Sequence, residues 1–485
     1  MMRFSKFFLA LLIAALVPVL SGQAQDLSKA PGDKVALKAG RIITVIDDEI
    51  TDGVILIENG RITEVGGKDL EIPYDFWVID ASDKVVFPGM VEAHTNEGMS
   101  GYINRTNESL PVVPFTSVFD AIDPSVLYFE DALRDGTTTI LISQGNNTVI
   151  GGMTRIVRPI GRTVADMTVK ADTGLKISFT PMNGQDRLTQ MALFRETFRE
   201  LAEYKRNLAE SKYEKDLEEK KETLKVSPDE AAKKGMELLD EADFDFKHLN
   251  LERLVTGRLP AFVSCREPID VHNAIKIAKE NGFLDRTIFV LGNECHKAVD
   301  AIKATGRPVV LESRMVYREE DPLTGEETEV FVPLAFYEAR IPFAITSNQR
   351  DAYGARYLWY QAARLMRNGI PRTEALRAIT FTAASMIGVG NRLGAILPGY
   401  DATLLVLTGD PLDVGTWVDK VLIEGQVVYE REKDYRLKEL LTGKADEDEE
   451  TPEDEAPEDK APEEKAPAAE ETKPAEGTVP GADKE

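Results

Sequence analysis

The stretch FPGMVEAHTNEG, residues 87–98, is where two kinds of sequence meet. Upstream, residues 34–86 hold short alternating runs (VALKAG, RIITVI, GVILIENG, RITEVGG, KVVFPG) parted by Gly and Asp turns, the pattern of small antiparallel sheets. Downstream, apolar strands alternate with amphipathic helices. The stretch itself breaks at Pro88-Gly89 and then presents His94 at the end of a predicted strand. A second histidine at position 96 would make His-x-His, two rings on one strand face placed to grip a metal. Asn96 stands there instead.

Working outward, strands are predicted at TTTILIS (137–143), PAFVS (260–264), TIFVLG (287–292), PVVLE (308–312) and PFAITS (342–347). Helices follow several of them, such as VHNAIKIAKENG and CHKAVDAIKATG, each closed by a glycine. This alternation predicts an α/β fold, a (β/α)8 TIM-like barrel over residues 87–392. Alternating strands return in RLGAILPGYDATLLVL and DKVLIEGQVVYE. Residues 25–86 and 393–436 are therefore expected to form one small composite β-sandwich, since chain termini tend to lie close together. A charged helical insert interrupts the barrel at 189–255: Phe194, Phe198, Leu201, Tyr204 and Leu208 form one apolar helix face, and Ser227-Pro228-Asp229-Glu230 starts a second helix. Residues 314–332 read as a projecting hairpin.

The ends of the chain read differently. Arg3 and Lys6 precede an apolar run to Leu20, followed by Ser21-Gly22-Gln23-Ala24, so residues 1–24 read as a secretory signal peptide and the protein as periplasmic or extracellular. From Leu441 to Glu485 there are 17 acidic residues and 5 lysines, and residues 437–485 are expected to be an acidic, Pro/Ala/Glu-rich disordered tail. The formal net charge of −25 argues against nucleic acid as a partner, and no later segment is apolar enough to span a membrane. Cys265 and Cys295 are the two cysteines, too few for a disulfide scaffold.

Several stretches together resemble the amidohydrolase superfamily: the strands before FPGMVEAH, LRDGTTTILISQGNNTVIGGM, IPFAITSN with its following helix, and NRLGAILPGYDATLLVLTGDPLD. The exported imidazolonepropionase-like branch is the most similar. The resemblance implies a barrel with metal ligands at strand ends: His-x-His from strand 1, a carboxylate or modified lysine from strand 4, histidines from strands 5 and 6, and an aspartate from strand 8. A metal so held turns water into hydroxide and attacks amide or cyclic-amide C–N bonds.

Carried over residue by residue, His94 is the only matching ligand. Asn96 replaces the second histidine, Ser264 the strand-5 histidine, Leu291 the strand-6 histidine and Asn348 the catalytic aspartate, with Pro181 at the strand-4 position. Leucine offers no donor atom, asparagine is a weak neutral ligand, and Arg266 would repel a cation. The expectation is a degenerate metal site with no cofactor, and His94 as a remnant hydrogen-bonded to polar neighbours. Zinc enters only if a site is rebuilt from His94, His272 or His296 with Cys265, Cys295 or Asp351.

Ligand-binding candidates are His94, Asn96, Gly151, Gly152, Ser264, Arg266 and Asn348. Gly145-Asn146-Asn147 and Gly151-Gly152-Met153 read as a Gly-rich loop, either a ligand cradle or a tight turn. Glu92, Glu97, Arg266, Glu267, Arg350 and Asp351 are charges predicted near the same face, either as internal salt bridges or as a pocket for an amide or peptide-like ligand. Three functions follow: a secreted pseudoenzyme binding a ligand or an active relative, as homo- or hetero-oligomer; a C–N hydrolase with an atypical site; or a structural cell-envelope protein.

Overall fold

The computed structural model describes residues 33–99, 110–182, 184–223, 226–348 and 354–443. The predicted signal peptide, Arg350, Asp351 and the tail beyond residue 443 lie outside the described residues. The chain up to Asp434 packs as one compact unit, and the helix Tyr435–Thr442 belongs to a second.

Strands β1 (Lys34–Ile42), β2 (Ile50–Glu58), β3 (Arg61–Gly66) and β4 (Trp77–Pro88) lead into β5 (Met90–Thr95). Gly89 joins β4 to β5 because nothing larger fits: a Cβ there would stand 2.0 Å from the Thr138 hydroxyl. Helix α1 (Leu127–Asp135) precedes β6 (Thr137–Ile142), β7 (Ile150–Met153) and β8 (Arg155–Val157). Next come α2 (Val164–Met167), β9 (Thr168–Lys170) and β10 (Leu175–Ser178). The insert follows as α3 (Arg187–Glu219), α4 (Pro228–Gly235) and α5 (Leu249–Val255). Strand–helix alternation resumes with β11 (Ala261–Cys265), α6 (Pro268–Glu280), β12 (Thr287–Leu291), α7 (Val299–Thr305) and β13 (Val309–Leu311). The predicted hairpin is β14 (Val316–Glu320) and β15 (Glu327–Phe331), then come α8 (Val332–Glu338) and β16 (Phe343–Ile345). The chain ends in β17 (Leu404–Leu407), β18 (Val418–Ile423) and β19 (Gln426–Glu430).

One seven-stranded sheet, β19-β18-β17-β4-β1-β2-β3, draws on both ends of the chain. Leu37, Ile55, Ile57, Val86, Leu404, Val406 and Leu422 form its core, and each such burial contributes roughly 2 kcal/mol. The sheet departs from the expected antiparallel pattern at one place, where β4 runs parallel to β1. The ten residues between β3 and β4 carry the chain back so that β4 lies beside β1 instead of making a hairpin with β3.

Strands β10, β11, β12, β13 and β16 are successive parallel neighbours, with β7 antiparallel at one edge. A second sheet runs β5-β6-β8-β9, its first pair parallel. Side chains alternate across these strands. Phe262, Val290, Val310 and Ala344 share one cluster with Val91, Ala93 and Leu141, so both sheets line the same interior. Ala261, Val263, Cys265, Leu291, Leu311 and Ile345 belong to the core on the opposite face, with residues of α6 and α8.

The insert is packed onto this scaffold. Phe194, Phe198 and Leu201 of α3 are buried, and the rings of Phe179 and Phe194 stack at 4.3 Å. Ser227 caps α4 by accepting from Glu230 N, while the Glu230 carboxylate pairs with Lys234 at 3.4 Å. Gly235 permits α4 to cross α3 closely, since a Cβ would lie 1.8 Å from the Ala209 carbonyl oxygen.

Candidate functional site

The ends of β5, β10 and β11 bring His94, Lys176 and Ser264 near one another, while Glu92 of β5 bonds to the backbone just past β16. On β5, Glu92 is 1% exposed, and its Oε2 accepts a hydrogen bond from Ser347 N at 2.9 Å, just past β16. No ladder joins β5 to β16 among the described residues, so this side-chain bond spans the gap. Burial raises the Glu92 carboxyl to about 8, against hydrogen bonds from Ser347 and the His94 backbone that favour ionisation. Glu92 is therefore largely protonated at neutral pH, and its Oε1 is buried without a hydrogen-bond partner.

His94 sits two residues along the same strand, its ring centroid 6.5 Å from that of Phe262. Burial, and then the nearby Lys176 charge, lower its pKa to about 3, so the ring is neutral. Its Nε2 is buried and has no partner.

Lys176, wholly buried on β10, is the residue that sequence reasoning missed. Its Nζ donates to the Asn146 carboxamide and to the Ser264 hydroxyl. Ser264, 2% exposed, lies on the adjacent parallel strand β11. The available signal was the one charge inside the apolar run Leu175–Ser178, because an isolated lysine in a fully buried strand needs a polar destination.

The insert holds these loops in place. Gln190, in the first turns of α3, donates through Nε2 to Ser178 O and Thr180 O and accepts from Met182 N. Arg187 donates to Asp270 Oδ1 at 2.8 Å, and Asp270 Oδ2 accepts from Arg266 N and Glu267 N at the end of β11. The segments that follow Lys176 and Ser264 are thus pinned by one helix turn.

The other candidates divide. Asn96 is half-buried just past β5, close to His94 in the chain. Asn348 is exposed, its backbone N–H donating to Ala355 O at 2.9 Å. Arg266 is exposed, and with Arg314 and Lys176 it acts electrostatically on Glu312. Gly151 and Gly152 do not form a loop. They lie within β7, and the Gly152 N–H is taken by Gln144 Oε1 at 2.7 Å, which removes it as a ligand donor. The predicted cradle is a strand because Val113 N, Met153 N and Ser178 N bond the backbone on either side of it.

Outside this group, His248 Nδ1 meets Asp245 at 2.7 Å and His296 Nδ1 meets Asn293 O at 2.8 Å, while His272 is exposed. Cys265 and Cys295 are free and buried, with the Cys295 thiol donating to Cys265 O at 3.3 Å.

Comparison with known proteins now bears on this geometry. A model of the amidohydrolase family matches residues 342–429. Amidohydrolase tasK of Hapsidospora irregularis is 24% identical over 406 residues, 78% of this chain and 40% of that protein. Imidazolonepropionase of Thermoplasma volcanium is 23% identical over 419 residues, 80% of this chain and 94% of that protein. These matches support membership of the amidohydrolase superfamily. The crystal structure of an amidohydrolase from Thermotoga maritima shares the fold, with a TM-score of 0.66 and 24% identity, covering 82% of this chain and 100% of that one. The chain spans 40% of the length of tasK and 27% of a 5'-deoxyadenosine deaminase from Methanosarcina barkeri that it matches.

On the amidohydrolase pattern the structure corrects two positions. Lys176, not Pro181, is the residue that β10 sends toward Ser264, which places a lysine at the strand-4 position. Leu291 packs with Cys265 on the helix-side face, so it does not stand at an inward strand end. The set of described residues fits a divalent ion poorly: Asn96 and Ser264 are neutral where the pattern calls for histidines, and the Lys176 amine, unmodified, donates to Ser264 and Asn146. Among the described residues no three His, Cys, Asp or Glu side chains stand close enough to hold a metal.

Proposed function

We propose that this chain is an exported, imidazolonepropionase-like branch of the amidohydrolase superfamily that has given up metal-assisted hydrolysis and binds a small ligand at the former metal site. The observation that carries this reading is Ser264, a neutral hydroxyl that accepts from the Lys176 amine at the strand end where the superfamily pattern calls for a histidine ligand. The scaffold we infer is a closed (β/α)8 barrel beside a composite sheet. The parallel neighbours β10 to β16, the parallel pair β5–β6, the Glu92–Ser347 bond and the interior cluster common to both sheets favour closure.

The ligand that suits the site is a neutral amide or peptide-like group. Neutral His94 keeps its buried Nε2 unpartnered near Lys176, and an amide supplies a donor or an acceptor to meet it. A homo-oligomer, or a complex with a catalytically complete relative, is the assembly we attach to this reading. Export rests on the signal-peptide pattern of residues 1–24, and no helix among the described residues is long and apolar enough to cross a membrane.

The deciding experiment is elemental analysis of purified protein combined with an amide-hydrolysis screen. Well under one zinc, manganese or iron per chain, with no metal-dependent turnover, is expected. Stoichiometric metal that disappears in His94→Ala would overturn the reading in favour of an atypical hydrolase.

A further inference from the structure

We infer that a cleft at the start of β16, at the opposite end of that strand from Ser347, binds a small apolar α-amino acid. The cleft measures about 280 Å³ and is lined by Tyr337, Arg340, Ile341, Phe343, Glu374 and Thr382. That size lies below the usual range for drug-sized molecules and suits a ligand of one residue. None of the lining residues belongs to the former metal site, so the inference stands apart from the reading above.

Arg340 is the unusual member. Ile341 N donates to Phe336 O at 3.0 Å and Arg340 N to Tyr337 O at 2.9 Å, the paired bonds that stop α8 in a left-handed turn. Arg340 takes φ +59° in that turn, a conformation that favours glycine. An arginine makes a poorer helix stop than glycine, so the turn gives no reason for the guanidinium. Nor does the guanidinium serve the fold, since it makes no ion pair or hydrogen bond among the described residues.

The opposite charge comes from Glu374, on the helix Arg372–Ala378. Its Oε1 accepts from Arg377 at 3.1 Å, which leaves Oε2 to a ligand. Arg377 is itself fixed by donating to Val45 O and Ile46 O. Arg340 and Glu374 line one cleft without pairing with each other. A ligand carboxylate is met by the Arg340 guanidinium and a ligand ammonium by Glu374, while the Tyr337 and Thr382 hydroxyls add neutral partners. A zwitterion answers both charges at once. Ile341 and Phe343, 5% and 6% exposed, favour an apolar side chain on it, as in leucine or valine.

The test titrates full-length protein with L-leucine, N-acetyl-L-leucine and L-leucinamide, read by calorimetry and ligand-observed NMR. L-Leucine should bind, and each analogue, lacking one charge, should bind at least about 10-fold more weakly. Arg340→Gly should melt no lower than wild type, because glycine suits the turn, and should lose leucine binding. Glu374→Gln should weaken L-leucine to the level of N-acetyl-L-leucine. Absence of leucine binding to wild type overturns the proposal, as does unchanged binding in Arg340→Gly. N-acetyl-L-leucine bound as tightly as L-leucine overturns the role of Glu374 and the amino-acid class. Metal content enters none of these outcomes, so failure here leaves the metal-free reading standing.

Discussion

Arg187 and Asp270 are joined by a 2.8 Å ion pair that locks the first turn of α3 onto the first turn of α6. The Asp270 side chain is 1% exposed, while its other oxygen accepts from two backbone N–H groups at the end of β11. The charged insert is therefore part of the site's framework, not a solvated decoration.

Removing the buried partner should be costly, because Arg187 and two N–H groups would lose their acceptor. Asp270→Ala is expected to cost about 3 kcal/mol, against well under 1 kcal/mol for Glu267→Ala, whose carboxylate is 44% exposed. Urea unfolding of both variants measures the difference. Equal costs would show that Asp270 is not the anchor.

Stability should depend on pH with opposite signs at Glu92 and His94. As pH rises from 4.5 toward about 8, the unfolded chain releases a Glu92 proton that the folded chain keeps, so stability falls across that window. As pH drops from 6.5 toward about 3, the unfolded chain binds a His94 proton that the folded chain refuses, and stability falls again. Glu92→Gln, which still accepts from Ser347 N, should remove the alkaline decline and gain a few kcal/mol at pH 8. Thermal melts of both proteins from pH 4 to 9 would show the two curves converging toward acid. Parallel curves would mean Glu92 is ionised in the folded state.

Restoring superfamily ligands should succeed unevenly. Asn96→His and Ser264→His change positions at or beside the polar group, whereas Leu291→His puts an imidazole into the helix-side core, where Leu291 is 1% exposed. The leucine change is expected to cost about 3 kcal/mol and bring no gain in zinc affinity. Calorimetric zinc titration beside thermal melts separates the cases. Tighter zinc binding through Leu291→His would contradict its outward placement.

Both thiols should be free yet inert. Burial raises Cys265 and Cys295 above the ordinary thiol range. Ellman's reagent should find two thiols per chain in unreduced protein once denatured, and fewer than one in minutes when native. Absence of thiols in the denatured sample would establish a disulfide.

The local elements were legible from periodicity alone. The runs at 137–142, 261–265, 287–291 and 343–345 became strands, glycines 282 and 306 close the helices after β11 and β12, and residues 316–331 became the hairpin. Each depends on side chains and turn residues a few positions apart, information that a linear sequence carries directly.

Only the tertiary structure decided what faces what. A one-residue step along β12 separates inward Val290 from helix-side Leu291, and no motif spacing resolves that step. Gly151 and Gly152 became a strand because residues 111–116 and 178 pair around them, a partnership distant in sequence. The meeting of Lys176 with Asn146 and Ser264, 30 and 88 positions away, follows from strand register. Periodicity sets the face a side chain takes within its own strand, but the neighbour it meets is set by how strands far apart in the chain align, and that alignment exists only in the packed fold.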